Sequence, residues 1–155
     1  MRVILEDTRN SPKKNAHIRK QLESLGYQVD RSKLYVGDYV FADSSKITVD
    51  TKQDLQEVAG NLCQDHERFK QECERAKAAG VQLVILVCED HIKSLDDVPS
   101  WYNWRKKFST RAISGKQLWK IMTTMTERYG VVWKFSTRPK LGATIVELLE
   151  GDAID

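Results

Sequence analysis

The stretch Gly37-Asp38-Tyr39 … Val49-Asp50-Thr51-Lys52 carries the residues best placed to do chemistry. It lies in two β-rich runs, 35–42 and 46–52, separated by the short polar segment Asp43-Ser44-Ser45, which reads as a hairpin. Asp50 and Lys52 are two apart on a strand, so their side chains share a face, while Ile47 and Val49 turn to the other face and the core. The hairpin tip decides where Asp38 points. A three-residue loop, 43–45, pairs Ala42 with Lys46 and sets Asp38 opposite Asp50 on the same face. A two-residue loop, 44–45, pairs Tyr39 with Asp50 and turns Asp38 away unless a bulge near Gly37 corrects it. Two carboxylates and a lysine converging at one point suit a hard, oxygen-seeking cation such as Mg²⁺. Such an ion activates water and neutralises charge on a phosphodiester, and Lys52 would orient the nucleophile or stabilise the phosphorane. The plain alternative is a surface hairpin with ordinary charges.

Several elements must position these residues. Val3–Leu5 is a short apolar strand that ends in Glu6-Asp7. Ser11-Pro12 predicts a helix start, with Ile18, Leu22 and Leu25 as its buried stripe and Gly26 as its end. Residues 27–34 read as a strand, 54–62 as a short helix, and 65–79 as a helix whose stripe is Phe69, Cys73 and Ala76. The run Val81–Val87 is almost wholly apolar, the mark of a strand covered on both faces. Residues 90–113 read as irregular. A helix with the stripe Leu118, Ile121, Met122 and Met125, a strand over 131–136 and a helix through Leu141, Ile145, Leu148 and Leu149 follow. Strands alternating with helices predict a three-layer α/β/α sandwich, and the hairpin makes its central sheet mixed. The expectation is one domain over residues 1–155.

Composition narrows the class. With 41% hydrophobic and 30% charged residues the chain has the means to bury a core, which excludes a mainly disordered chain. The longest apolar run, Leu83–Cys88, falls far short of the roughly 20 residues needed to span a bilayer, so no membrane partner is expected. The acidic Glu6-Asp7 comes too early for a secretory signal, and three cysteines without ligand spacing fit a reducing cytosol, so a cytoplasmic location is expected. Cys63 and His66 lack the second pair that a zinc site needs. Charge is unevenly spread. Residues 101–140 contain ten Lys/Arg against one acid, Glu127, whereas the first hundred residues are slightly acidic. A carboxylate cluster beside a basic segment points to a polyanionic partner.

The motif residues resemble a known family. Gly37-Asp38-Tyr39, then Val49-Asp50-Thr51-Lys52 leading into Asp54-Leu55, is similar to the Gly-Asp … Glu-Arg-Lys … Asp signature of XPF-type structure-specific DNA endonucleases, members of the PD-(D/E)xK nuclease superfamily. Glu6-Asp7-Thr8-Arg9 resembles the family's motif after its first strand, and Asp65-His66-Glu67-Arg68-Phe69 … Glu72 its arginine-bearing helix. The order of elements agrees over roughly residues 3–149. The chain departs in having Asp50-Thr51 for Glu-Arg and Asn10 for a glutamate, and the tandem helix-hairpin-helix domain of many members is not among its residues.

The resemblance implies a restriction-endonuclease-like fold and Mg²⁺- or Mn²⁺-dependent cleavage of branched or structured DNA by a microbial or phage-encoded repair or recombination enzyme. It implies that Asp38 and Asp50 bind the metal, with the Thr51 carbonyl as a further ligand, and that Lys52 assists the attacking water. Asp7 and Arg9 would support the site, and Arg68 would stand behind it. Glu6 should point away from Asp7's face. A second reading is a DNA-binding module with a degenerate nuclease fold. A third is an interaction subunit.

Outside that signature, Arg68 and Glu72 read as an exposed i, i+4 pair. Trp101, Tyr102 and Trp104 precede Arg105-Lys106-Lys107, and would stack on unpaired bases, plug the core edge or form a homodimer contact. Arg105, Lys106, Lys107, Arg111 and Lys116 are the expected phosphate contacts. Replacing Arg105, Lys106 and Lys107 together with alanine should weaken duplex binding whatever the sequence. It should also flatten the log–log salt dependence of affinity by roughly two to three units. A salt series on variant and parent checks this; an unchanged slope would move the phosphate contacts elsewhere.

Overall fold

Alternation within the apolar run of the fifth strand organises the chain, because it offers a different hydrophobic stripe to each face of one sheet. The computed structural model describes residues 1–151. In chain order these form β1 (Val3–Asp7), α1 (Ala16–Ser24), β2 (Gln28–Ser32), β3 (Tyr39–Phe41), β4 (Ser44–Lys52), α2 (Leu55–Cys63), α3 (His66–Ala78), β5 (Gln82–Cys88), α4 (Gly115–Tyr129), β6 (Val132–Ser136) and α5 (Leu141–Leu149). Two 3-10 turns, Leu95–Ser100 and Trp104–Lys107, punctuate the long connection after β5, and a third, Arg138–Lys140, leads into α5.

The sheet order is β2-β1-β3-β4-β5-β6. β1 with β2, β4 with β5 and β5 with β6 run parallel, while β3 is antiparallel to both its neighbours. Leu83, Ile85 and Val87 of β5 pack with α2, α3 and α4 on one face, and Val84 and Leu86 with α1 and α5 on the other. The result is the expected three-layer α/β/α sandwich with a mixed central sheet.

Two local expectations fail for identifiable reasons. The first helix does not open at Ser11-Pro12. Arg19 donates to the Pro12 carbonyl at 2.8 Å, the acceptor that a helix opening at Ser11 would offer to the Ala16 amide, and that amide bonds the Lys13 carbonyl instead. Residues 11–15 then form turns, and the helix begins at Ala16. The hairpin tip matches neither predicted loop. Phe41 pairs with Ser44, giving a two-residue tip of Ala42-Asp43, and the register then shifts so that Tyr39 pairs with Val49. Residues 45–48 of β4 therefore oppose the single residue Val40 of β3, a wide bulge. Beyond it the register is that of the three-residue loop, which brings Asp38 level with Asp50.

Thr48 and Gly37 hold this bulge together. The buried Thr48 hydroxyl bonds the Val36 carbonyl at 2.9 Å, closing the irregular turn before β3 against β4. Gly37 has φ +78°, and a Cβ there would lie 2.1 Å from Thr48 Oγ1. Gly37→Ala should therefore cost about 1–3 kcal/mol of stability through backbone strain and displacement of Thr48. Urea unfolding of variant and parent measures it, and an equal midpoint would contradict this packing.

Candidate active site

β4 ends at the site because Asp50, Thr51 and Lys52 pair with Ile85, Leu86 and Val87 of β5 and so lie on the rigid middle of the sheet. Asp38 reaches the same place from the turn before β3. Its Oδ2 accepts from the Thr51 amide at 2.8 Å and the Thr51 hydroxyl at 2.9 Å, and its Oδ1 accepts from Asn10 Nδ2 at 2.7 Å. Burial pushes the Asp38 carboxyl well above its ordinary value, and the neighbouring Asp50 charge pushes it further.

Lys52 Nζ stands 3.1 Å from Asp50 Oδ2, but off the line that a hydrogen bond requires. That buried oxygen therefore has a counter-ion and no hydrogen-bond donor. Burial would lower the Lys52 ammonium, but Asp50, then Glu72 and Glu57, outweigh it and raise the group above its ordinary value. Lys52 is consequently a cation at neutral pH, suited to stabilising negative charge rather than to taking a proton.

Asp7 braces the site from β1. Its Oδ1 accepts from the Leu34 amide at 3.0 Å and its Oδ2 from Arg9 Nε at 2.6 Å. Arg9 reaches on to the Gly37 carbonyl at 3.4 Å, so the pair ties β1 to the turn that presents Asp38. Glu6 points elsewhere. It is buried among Arg19, Arg31 and the Tyr39 hydroxyl, a network that fastens α1, β2 and β3 together.

These residues open onto a cleft of about 310 Å³ between the turn before β3 and the helices α2 and α3. The structure brings Asp7, Arg9, Asp38, Asp50, Thr51, Lys52 and Arg68 to this one cleft. It corrects the Arg68–Glu72 pair: among the described residues no ion pair joins them. Both line the cleft with Arg75, a polar stripe at i, i+4 and i+7 along α3. Glu72 stands within the resemblance to the arginine-bearing helix but reads from the sequence as solvent-exposed, and Arg75, three residues on, is missed there; its spacing from Arg68 and Glu72 is the signal that would find it. Asn10, which bonds Asp38, stands out in the sequence only as a departure from the first motif. Asp54 serves as the N-cap of α2, accepting from the Glu57 amide at 2.8 Å.

The donor set fits a small hard cation. Asp50 Oδ2 is buried without a donor, and the Asp38–Asp50 pair concentrates negative charge that an ion would relieve. Among the described residues no three His, Cys, Asp or Glu side chains form a group able to hold a metal. An ion here would have two carboxylates and complete its shell with water, as Mg²⁺ habitually does.

The residues expected to contact phosphate do not line this cleft. Arg105, Lys106 and Lys107 occupy the second 3-10 turn, and Arg111 and Lys116 follow it; all five are exposed. Trp101 packs partly buried against the core edge, whereas Tyr102 and Trp104 stay exposed. Among the described residues no helix is long and apolar enough to cross a membrane.

This geometry agrees with comparison to known proteins. Residues 7–148 match the model of the ERCC4 domain, and the chain belongs to that family. Among solved structures, XPF from Aeropyrum pernix superposes with a TM-score of 0.67 at 24% identity, covering 95% of this chain and 62% of that one. The same protein in complex with DNA gives a TM-score of 0.69 at 21% identity, covering 99% of this chain and 66% of that one. The chain thus spans just under two thirds of the XPF chains it matches. At these identities the likeness establishes the restriction-endonuclease-like fold. No curated protein matches.

Glu72 gives the cleft a measurable titration. Burial, then the Asp50 charge, pushes its carboxyl from 4.5 up to about 7, against the pull of Lys52, Arg75 and Arg9. Between those values the folded chain binds a proton that the unfolded chain has released, so stability should fall as pH rises through the window. Asp38 acts in the same direction, and Lys52 titrates above it. Glu72→Gln should remove on the order of 2 kcal/mol of that decline. Urea unfolding in EDTA at about pH 5 and about pH 8 tests this; an unaltered pH dependence would place Glu72 outside the cleft's field.

Proposed function

We propose that the chain is a divalent-metal-dependent endodeoxyribonuclease that hydrolyses phosphodiester bonds in branched or structured DNA. The observation that carries this reading is the buried Asp38–Asp50 pair with the Lys52 ammonium beside it. Membership of the ERCC4 domain family supports it, as does the likeness in fold to an XPF structure in complex with DNA. Asp38 and Asp50 would hold Mg²⁺ or Mn²⁺, with the Thr51 carbonyl as a further ligand. Such an ion supplies Lewis acidity and a water of lowered pKa.

The protein's own groups do the rest. Thr51 and Asn10 fix the Asp38 carboxylate by three hydrogen bonds, so its position is set before any ligand arrives. Lys52, kept charged by Asp50, would stabilise the negative charge on the phosphoryl oxygens as water attacks. Asp7 and Arg9 hold the turn that carries Asp38, and Arg68 lines the cleft entrance. The exposed basic residues from Arg105 to Lys116 would bind the flanking phosphates.

A second reading, a DNA-binding module without cleavage, draws on one feature. The family's arginine is Thr51 here, and its hydroxyl is engaged with Asp38.

Labelled fork, flap, four-way junction and linear duplex, each with Mg²⁺, Mn²⁺ or EDTA, separate the two readings. The nuclease should cut a branched substrate only with metal. Asp50→Asn should abolish cleavage while DNA binding stays equal or tightens slightly, since removing one carboxylate lessens repulsion of phosphate. Lys52→Ala should slow cleavage by about 100-fold or more with a smaller effect on binding. Binding without cleavage under every condition would leave the DNA-binding module.

A further inference from the structure

The connection after β5 presents an aromatic and basic surface that the cleavage site does not use. Tyr102, Trp104 and Phe108 are 59%, 52% and 79% exposed, an unusual concentration of large apolar side chains at the surface. Trp104 and Phe108 meet edge to face with ring centroids 6.1 Å apart, and both side chains stay exposed despite the contact. The Arg105 guanidinium lies over the Trp104 ring at 5.6 Å. The exposed Lys106, Lys107 and Arg111 lie close to them in sequence, and no carboxylate occurs in sequence between Asp97 and Glu127.

This surface is built on a fixed base. Asn103 is buried between the exposed aromatics, donating to the Ile113 carbonyl at 2.9 Å and accepting from the Arg105 amide at 3.0 Å. Trp101 packs into the core edge on one side. On the other, a Cβ at Gly115 would stand 2.5 Å from the Val98 carbonyl and 2.6 Å from that of Trp101, so only glycine lets the connection lie against the first turn of α4. The connection also starts beside the active site. Glu89, its first residue, accepts from the Leu55 amide at 2.7 Å, and Leu55 opens the helix three residues after Lys52.

We propose that residues 102–111 form a stacking platform for unpaired nucleobases, with Trp104 and Phe108 supplying ring faces and Arg105, Lys106, Lys107 and Arg111 holding the backbone phosphates. The inference rests on the nuclease reading for its place in the reaction: a platform set apart from the cleft would engage the single-stranded arm of a branched substrate cut in it. Bases offer an aromatic face only when unpaired, which is why exposed rings among cations select a single strand over a duplex.

The test measures binding in EDTA, where no cleavage occurs, by anisotropy of labelled oligothymidylate, oligouridylate and a blunt DNA hairpin. Polyglutamate serves as a competitor that offers charge alone. Trp104→Ala and Phe108→Ala should each weaken single-strand binding by about 5- to 150-fold, the equivalent of about 1–3 kcal/mol per stacked base. They should weaken hairpin binding much less, and Trp104→Tyr should restore most of the loss. Circular dichroism melts show whether each variant folds. A preference between the two oligonucleotides identifies DNA or RNA as the source of the bases.

Parent-like single-strand affinity in both alanine variants overturns the platform, as does equal displacement by polyglutamate. So does a dimer in sedimentation that the variants dissociate, which would make the patch a self-contact. Cleavage of branched substrates is scored separately. Stacking without cleavage would overturn the nuclease reading and keep the platform, and cleavage without stacking would do the reverse.

Discussion

The site depends on burying two carboxylates against each other. Like charges in a dry environment repel strongly, and each also loses its water, so the arrangement persists only if the surrounding structure imposes it. Asp38 is forced into it by three hydrogen bonds, and Asp50 by its place on a central strand. The strain appears as the upward displacement of Asp38. A cation that enters such a pair relieves repulsion already present, which is how a fold prepares a metal position with few protein ligands.

The neighbouring structure serves this constraint. The bulge in β4 sets the register so that Asp38 comes level with Asp50, and the Thr48 hydroxyl ties it to the Val36 carbonyl before β3. Asp7 and Arg9 hold the turn from below, while the Glu6 network secures the opposite face of the same strands. Adjacent acidic residues on β1 thus act on the two faces of the sheet, one beside the cleft and one within the hydrophobic layer under α1. Positive charge is divided as well. Lys52 and Arg9 balance the carboxylates inside, and an exposed set of cations, Arg105 to Lys107, is carried on a separate connection.

Much of this was legible in the sequence, because period-2 and period-3.6 patterns report which faces are buried. The near-continuous apolar run of β5 announced a strand covered on both faces, and the Asp50–Lys52 spacing announced a shared face. Three things were not legible. The start of α1 depended on Arg19, a side chain of the helix itself that takes the Pro12 carbonyl. The hairpin tip depended on a bulge stabilised by contacts between Thr48 and residues far from the tip. The direction of Glu72 depended on how α3 rotates over the sheet, since a helix with Phe69, Cys73 and Ala76 buried can present its flanking polar residues either to solvent or to a cleft. In each case contacts outside the periodic pattern overrode a correct local signal.

The account stands on the Asp38–Asp50 pair, and its titration reports the pair directly. Carboxyl carbon chemical shifts of isotope-labelled aspartate, assigned through Asp38→Asn and Asp50→Asn, can be followed against pH with and without Mg²⁺. Without metal Asp38 should release its proton well above the ordinary aspartate range, because burial and the Asp50 charge both oppose its ionisation. With Mg²⁺ that step should move to lower pH, because the cation competes with the proton. An Asp38 titration in the ordinary range, indifferent to Mg²⁺, would contradict the account.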